Sequence, residues 1–569
     1  MSFDNFKLPL EANRPNGAQN FDYGTAGFRS VAEQLPHIMC RMGMLAALRS
    51  ATEQGKYIGL MITASHNPAQ DNGVKLVDPD GSMLDSRFED YANNLANAVN
   101  SEVGGILANL YNGYGIDSKD QARVVIGRDT RQSSPALVEA AIVGVNSLRT
   151  VLQISCENLG VVTTPVLHHV VRACNLDDVQ VSKAASAYYD GICDAFRQFV
   201  SLLDISKGDC RGNEQLFLDC ACGVGSIAMD EVSIRLGDTL NVSLFNCDVS
   251  PDLDTTKISC LNQSCGADFV KIQQGFPKVH NSRKEGLELP QLDTKCRYAS
   301  LDGDADRLVY YYFDEANKFH LLDGDKIASL FAEYIQRLLS QASANINLGV
   351  VQTAYANGRS TSYISRELRT VVLFSPTGVK HLHAKAKSFA AGVYFEANGH
   401  GTVLFRDKYY DEVKRLSDLD NAKSNPAITK LKLLPILINQ AIGDAISDLL
   451  MVELILRDLG LDATSWDTKY TNLPNRQLKV RVKDRSSFVT KDVLCRLETP
   501  QGLQELIDDE ISKLPEARAF VRPSGTEDVV RVYAEAQSQQ DADKLAVKIA
   551  EMVYEKGGSI GDKPNLAGN

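Results

Sequence analysis

A chain of 569 residues is too long for one hydrophobic core, so three or four domains are expected. At 44% hydrophobic and 23% charged residues it reads as a soluble globular protein, and a formal net charge of -12 with a pI near 5.4 excludes general affinity for nucleic-acid backbone. The twelve cysteines are scattered without a Cys-x-x-Cys pair, and the N-terminus has no basic region leading into an apolar core. Reduced thiols, no secretory signal and a cytoplasmic location follow as expectations.

The first segment carries Tyr23-Gly24-Thr25-Ala26-Gly27-Phe28-Arg29, a loop that brings backbone amides and the forked Arg29 cation near an anion, or simply a tight turn. The apolar run Tyr57 to Ile62 predicts a buried strand, delivering Thr63-Ala64-Ser65-His66-Asn67-Pro68 to a loop. A serine hydroxyl needs help to act as a nucleophile, and His66 and Lys75 are the nearby helpers; a helix-capping turn is the plainer reading. Val124 to Gly127 predicts a strand, followed by Arg128-Asp129-Thr130-Arg131 and a helix with Ser134 as cap and Pro135 in the first helical position. Strand and helix in alternation predict an α/β domain over residues 1–186.

The second segment, 187–308, opens with a strand at Gln215 to Asp219 and then Gly223-Val224-Gly225-Ser226-Ile227-Ala228. That spacing fits a dinucleotide fingerprint with Asp248 as ribose contact, which makes a nicotinamide or flavin oxidoreductase a competitor; close packing of helix on strand explains the same small residues. The sharpest chemical signal is Leu301-Asp302-Gly303-Asp304-Ala305-Asp306-Arg307 before the apolar run Leu308 to Phe313. Three carboxylates at alternate positions repel unless a cation holds them, and a hard divalent ion such as Mg²⁺ with oxygen ligands meets that need. An EF-hand fails, because Arg307 stands where its glycine is required and Phe313 where its glutamate is.

The third segment, 309–458, holds the acidic turn Asp323-Gly324-Asp325, a helix from Lys326 to Leu339 and a strand at Leu348 to Gln352. Thr377-Gly378-Val379-Lys380-His381-Leu382-His383 and Phe395-Glu396-Ala397-Asn398-Gly399-His400-Gly401 follow. Zinc at His381, His383 and His400 is a weaker fit than sugar recognition by Glu396 and Asn398, which between them accept and donate hydrogen bonds to vicinal hydroxyls. The longest apolar tract, Leu433 to Leu456, is broken by Asn439, Gln440, Asp444, Asp448 and Glu453, so a single soluble helix is expected, not a membrane span. The last segment, 459–569, contains Arg522-Pro523-Ser524-Gly525-Thr526, a cup of one forked cation, two hydroxyls and open amides suited to phosphate. A strand at Val529 to Ala534, a helix from Asp541 to Lys556 and a disordered tail after Gly558 complete the chain.

Taken together and in this order, Ser65 in Thr-Ala-Ser-His-Asn-Pro, the Asp302 loop, the Glu396 loop and Arg522-Pro-Ser-Gly-Thr resemble the four active-site signatures of the α-D-phosphohexomutases. Within that superfamily the Phe395-Glu-Ala-Asn-Gly-His-Gly loop, Asn439 to Asp448 and Leu473 to Val480 are similar to the phosphoacetylglucosamine mutase branch. The resemblance implies three α/β domains with mixed sheets plus a smaller C-terminal α+β domain around a central cleft. It implies an isomerase that interconverts N-acetylglucosamine 6-phosphate and 1-phosphate through a phosphoserine at Ser65 and a sugar bisphosphate, feeding UDP-N-acetylglucosamine synthesis. One Mg²⁺ would be held by Ser65, Asp302, Asp304 and Asp306. Arg29, His66, Lys75 and Arg307 would line the phosphoryl-transfer end. Thr377, Gly378, Glu396 and Asn398 would meet the sugar, while Arg522, Ser524, Gly525, Thr526 and Arg531 would hold its other phosphate. The expected partner is a small phosphosugar, with no nucleic acid and no membrane; oligomeric state stays open. A phosphoglucomutase or phosphomannomutase is the near alternative, and a catalytically silent interaction protein the distant one.

Overall fold

The computed structural model describes residues 6–24, 26–203, 215–247, 249, 259–281, 296–419, 425–524 and 529–561. The first sheet contains β1 (Phe28–Val31), β2 (Tyr57–Ile62), β3 (Asp71–Val77), β4 (Gln121–Arg128) and β5 (Gln153–Val161), in the order β1-β3-β2-β4-β5. Strands β2, β4 and β5 are parallel, and β3 and β1 extend the sheet antiparallel. Parallel neighbours need crossovers: the helices Ser86–Asn97 and Asn100–Gly113 lie between β2 and β4, and Ser134–Ser147 lies between β4 and β5. Ile58, Leu60 and Ile62 enter one core cluster with the helices Pro36–Thr52 and Ser134–Ser147, while Met61 points the other way, into a cluster with Val166 and Leu167. Both faces of β2 are therefore covered, as its unbroken apolar run predicts.

The second sheet, β6 (Leu216–Asp219), β7 (Val242–Phe245), β8 (Arg297–Leu301), β9 (Leu308–Phe313) and β10 (Phe319–Leu322), has the order β10-β9-β8-β6-β7. Strands β7, β6 and β8 are parallel, and β9 and β10 add an antiparallel meander. The third, β11 (Leu348–Gln352), β12 (Val371–Phe374), β13 (Ala391–Phe395) and β14 (Gly401–Phe405), runs β12-β11-β13-β14 with only β14 antiparallel. The fourth is smaller and wholly antiparallel: β15 (Asn475–Arg481) and, beyond the two-stranded ribbon of β16 (Val489–Thr490) and β17 (Leu497–Thr499), β18 (Arg518–Pro523) and β19 (Val529–Glu535). Three mixed sheets and one small antiparallel sheet match the expected architecture. The expected boundary at 186 falls inside the helix Val181–Ser201, and that at 308 at the start of β9, whose sheet continues to Leu322.

Several local readings change. Ser133, not Ser134, precedes the helix Ser134–Ser147, and the Ser134 hydroxyl donates to Asp129 Oδ1 at 2.8 Å. The tract Leu433 to Leu456 belongs to two helices, Pro426–Leu437 and Ala445–Leu459. Asp444 starts the second by accepting from the Ile446 and Ser447 amides, and a side chain on Gly443 would strike the His400 ring, so the connection is pinned as a loop. No helix among the described residues is long and apolar enough to cross a membrane, and no disulfide joins the described cysteines. Ser559 bridges to Val482, and the remainder of the expected tail, 562–569, lies outside the described residues.

A buried ion pair joins the second sheet to the helix Ala445–Leu459. Arg297 on β8 donates through Nε to Glu453 Oε1 at 3.0 Å and through a second nitrogen to Oε2, and the Tyr310 hydroxyl adds a 3.0 Å bond to the same carboxylate. Both charged side chains are 1% exposed. Glu453→Gln removes this carboxylate charge from beside a buried guanidinium and should cost about 3–5 kcal/mol. The expected reading is a calorimetric melting temperature several degrees lower, partly restored when Arg297→Met is added; an unchanged melting temperature refutes it.

Candidate active site

Ser65 occupies the left-handed region, φ 52°, and is 1% exposed. A non-glycine residue holds that conformation only when its surroundings impose it. Thr63 Oγ1 accepts the Ser65 amide at 2.9 Å and donates to Asp129 Oδ2 at 2.7 Å. Arg131, fully buried and paired with Asp129 at 2.8 Å, donates to the carbonyls of Ser65, Asn67, Pro68 and Asp71. From the next unit Asn262 Nδ2 adds bonds to the Ser65 and Asn67 carbonyls at 2.8 and 3.1 Å. With these carbonyls drawn inward, Ser65 Oγ is directed to Asp302 Oδ2 at 2.7 Å.

Asp302, Asp304 and Asp306 are all buried, each with a carboxylate oxygen within 4.8 Å of the others. Asp302 Oδ1 accepts the amides of Asp306 and Arg307, and Asp304 Oδ2 accepts the Thr164 hydroxyl at 2.6 Å. Among the described residues Asp304 Oδ1 and Asp306 Oδ1 have no hydrogen-bond donor. Burial, then the neighbouring Asp306 and Asp304, push the Asp302 carboxyl well above its ordinary range. An all-oxygen set of crowded, dry carboxylates with idle lone pairs fits a hard divalent cation such as Mg²⁺. Gly303 lets this loop close on the serine: a Cβ there would lie 2.6 Å from the Ser65 carbonyl oxygen.

The same packing decides the dinucleotide question. A Cβ on Gly223 would lie 2.6 Å from the Gly303 carbonyl oxygen, and the Val224 amide donates to that oxygen at 3.1 Å. The glycines that open the helix Gly225–Leu236 therefore seat the Asp302 loop where a pyrophosphate would have to bind. Asp248 lies outside the described residues.

Cations surround the carboxylates. Lys75 Nζ lies 3.3 Å from Asp304 and 3.4 Å from Asp306, and Arg307 Nε lies 3.8 Å from Asp302. Arg29 stands in the same field: burial and then Arg307 lower its pKa, against the pull of the three aspartates. Burial, followed by Arg307 and Arg29, holds His66 down to about 2, so its imidazole is neutral, with Nδ1 buried and unpartnered. His400 Nδ1 approaches Asp306 Oδ1 at 3.4 Å, leaving Nε2 without a hydrogen bond.

The sugar loops meet here too. Glu396 Oε1 accepts the Gly378 amide at 3.0 Å, and Asn398 Nδ2 donates to Glu396 Oε2 at 3.3 Å. The Leu308 amide donates to the Gly399 carbonyl at 3.1 Å, tying this hairpin to the residue after Arg307. A cleft of about 130 Å³ is lined by Arg29, Lys75, Asp306, Arg307, Gly378 and Glu396, with His168 and His400 on its wall. His383 is withdrawn from any metal, buried against the Tyr394 hydroxyl at 3.0 Å, and His381 is exposed; the Asp302, Asp304 and Asp306 group is the metal-ligand cluster found among the described residues. Arg522, Ser524 and Arg531 stand on the C-terminal sheet, apart from this lining, and Gly525 and Thr526 lie outside the described residues.

The model of phosphoacetylglucosamine mutase domain III matches residues 323–461, and those of phosphoglucomutase/phosphomannomutase α/β/α domain I and C-terminal domain match 30–103 with 92–188 and 478–552. The human phosphoacetylglucosamine mutase is 45% identical over 553 residues, 97% of each chain. The chain belongs to the phosphoacetylglucosamine mutase family. Its fold agrees: a crystal structure of an N-acetylglucosamine-phosphate mutase of the α-D-phosphohexomutase superfamily, in a substrate complex, is 42% identical with a TM-score of 0.86, covering 95% of this chain and 97% of that one. The Aspergillus fumigatus N-acetylphosphoglucosamine mutase in complex with GlcNAc-6P and magnesium is 41% identical with a TM-score of 0.85, at the same coverage.

Within this family frame, sequence reasoning missed Arg131, Thr164 and Asn262, which hold the serine and metal loops, and it left His400 without a role. Arg131 follows the quoted Asp129, and a charged pair after a buried strand is a usable signal. Thr164 and Asn262 act across 140 and 197 residues of chain and carry no local one.

Proposed function

We propose that this chain is a phosphoacetylglucosamine mutase that interconverts N-acetylglucosamine 6-phosphate and N-acetylglucosamine 1-phosphate, acting in the cytoplasm. The carrying observation is the 2.7 Å contact of Ser65 Oγ with Asp302 inside a buried carboxylate triad. Ser65 rests as a phosphoserine. Mg²⁺, when held by Asp302, Asp304 and Asp306 beside Ser65, neutralises charge on the transferring phosphoryl group.

Glu396 and Asn398 hold ring hydroxyls so that the substrate's free hydroxyl faces Ser65. The phosphorus–Oγ bond breaks as the new phosphorus–oxygen bond to the sugar forms. The hydroxyl's proton passes to His400 Nε2, which has no hydrogen bond among the described residues, while His66, held down by burial and by Arg307 and Arg29, stays neutral. Lys75, between Asp304 and Asp306, serves as fixed positive charge with Arg29 and Arg307. The product is a sugar bisphosphate, which turns over and returns its original phosphate to Ser65. Arg522, Ser524, Gly525, Thr526 and Arg531 hold whichever phosphate is not reacting, and Glu396 and Asn398 serve both poses.

The test supplies Mg²⁺ and catalytic sugar bisphosphate to the purified protein and compares N-acetylglucosamine phosphates with glucose and mannose phosphates. A clear preference for the acetylated sugar supports the reading. Equal or better turnover of plain hexose phosphates keeps the mechanism and overturns the substrate.

A further inference from the structure

The C-terminal sheet places Arg522 on β18 directly opposite Arg531 on β19. At the other end of the same strand pair Arg518 faces Glu535, a balanced partner with Nε to Oε1 at 3.0 Å. Like charges set opposite each other in a sheet repel, so the Arg522 and Arg531 end calls for an anion.

Tyr355, in the loop after β11 of the third sheet, reaches across to this end. Its ring stands edge-on to Phe520 at 4.9 Å and to Tyr533 at 5.7 Å, and the Arg522 guanidinium carbon lies 5.9 Å from its centroid. The loop is fixed: the Tyr355 amide donates to Thr353 Oγ1 at 3.2 Å, and the carbonyls on either side, of Ala354 and Ala356, accept from Arg518. Yet among the described residues no hydrogen bond of good geometry reaches the buried Tyr355 hydroxyl. A buried, idle phenol is costly unless a ligand completes it. Burial raises its pKa, and Arg522 and then Arg531 pull it back down, as two guanidiniums near the hydroxyl must.

We propose that the Tyr355 hydroxyl is a ligand of the non-reacting phosphate, donated from the third sheet to a cup otherwise built on the fourth. This rests on the reading of Arg522 and Arg531 as the phosphate cup. A phosphate so held is gripped by two units at once, and binding it fixes the C-terminal sheet relative to the cleft.

Tyr355→Phe keeps the ring contacts and removes only the hydroxyl. In a Mg²⁺-loaded Ser65→Ala background, where no turnover intervenes, calorimetric titration gives Kd for N-acetylglucosamine 6-phosphate and for the 1-phosphate. Tyr355→Phe should raise both by about 10-fold and by the same factor, since a hydrogen bond to a charged group is lost from either pose, with an unchanged melting temperature. Unchanged Kd values in Tyr355→Phe, alongside weakened binding in Arg522→Ala, overturn the proposal and leave the cup standing. Loss for one isomer only assigns the hydroxyl to the sugar and overturns it as well. If Arg522→Ala binds both isomers normally, the cup itself is misplaced and the proposal falls with it.

Discussion

Ser65→Ala should lower turnover of N-acetylglucosamine phosphates by at least about 10³-fold while leaving the fold intact. In the proposed mechanism this hydroxyl carries the phosphoryl group; Thr164, whose hydroxyl also contacts the carboxylate triad, is buried as the partner of Asp304. The change removes one hydrogen bond, to Asp302, and leaves the contacts of the loop backbone with Arg131 and Asn262 untouched. A loss of about 1 kcal/mol or less is expected in stability, a shift of a few degrees in melting temperature. Mass spectrometry adds an independent reading. Wild-type protein incubated with sugar bisphosphate should carry one phosphoryl group on the peptide containing Ser65, and the variant none. Substantial turnover in the alanine variant would end the phosphoserine mechanism.

Asp302→Asn should separate stability from activity in opposite directions. Without metal, the Asp302 carboxyl is disfavoured by burial and by Asp306 and Asp304. The isosteric amide keeps an acceptor for the Asp306 and Arg307 amides and removes one of three crowded charges, so metal-free variant should melt higher than metal-free wild type. With Mg²⁺ the order reverses. A ligand that binds only the folded state at about 100 times its Kd stabilises by about 2.7 kcal/mol, and the variant should forfeit most of that gain. Turnover should fall by about 10²–10³-fold through lost charge stabilisation, and chelator treatment of wild type should match it reversibly. An equal Mg²⁺-dependent rise in melting temperature for both proteins would remove Asp302 from the metal site.

The elements that the sequence announced are those whose environment is uniform along the segment. β9 and β11 coincide with the apolar runs Leu308 to Phe313 and Leu348 to Gln352, because every residue in them is buried and the signal does not change along the strand. The tract from Leu433 to Leu456 misled for the same reason. Apolarity marks it as core, but its division into two helices is set by Asp444, Gly443 and the distant His400 ring. Within the site, the proposed reacting groups were legible because their chemistry is local: a serine in a loop, three alternating aspartates, and Glu396 with Asn398. The supporting groups were not, since Asn262 gains meaning only when folding brings it beside Ser65. Tyr355 looked like one aromatic among many until its hydroxyl was found idle beside two arginines.

The clamp under the serine loop bears on the timing of the reaction. In the proposed cycle a phosphoryl group moves twice, once off Ser65 and once back on, and between the two events the bound bisphosphate has to turn over. If the loop also relaxed in that interval, every cycle would include a second slow search, for the reactive geometry of the protein. Arg131 prevents this, because its planar fork of donors holds the Ser65, Asn67, Pro68 and Asp71 carbonyls together. The tumbling sugar therefore meets the same serine before and after, and forward and reverse transfer share one protein geometry. The moving part of the cycle is the substrate, and the waiting time between the two transfers belongs to its reorientation.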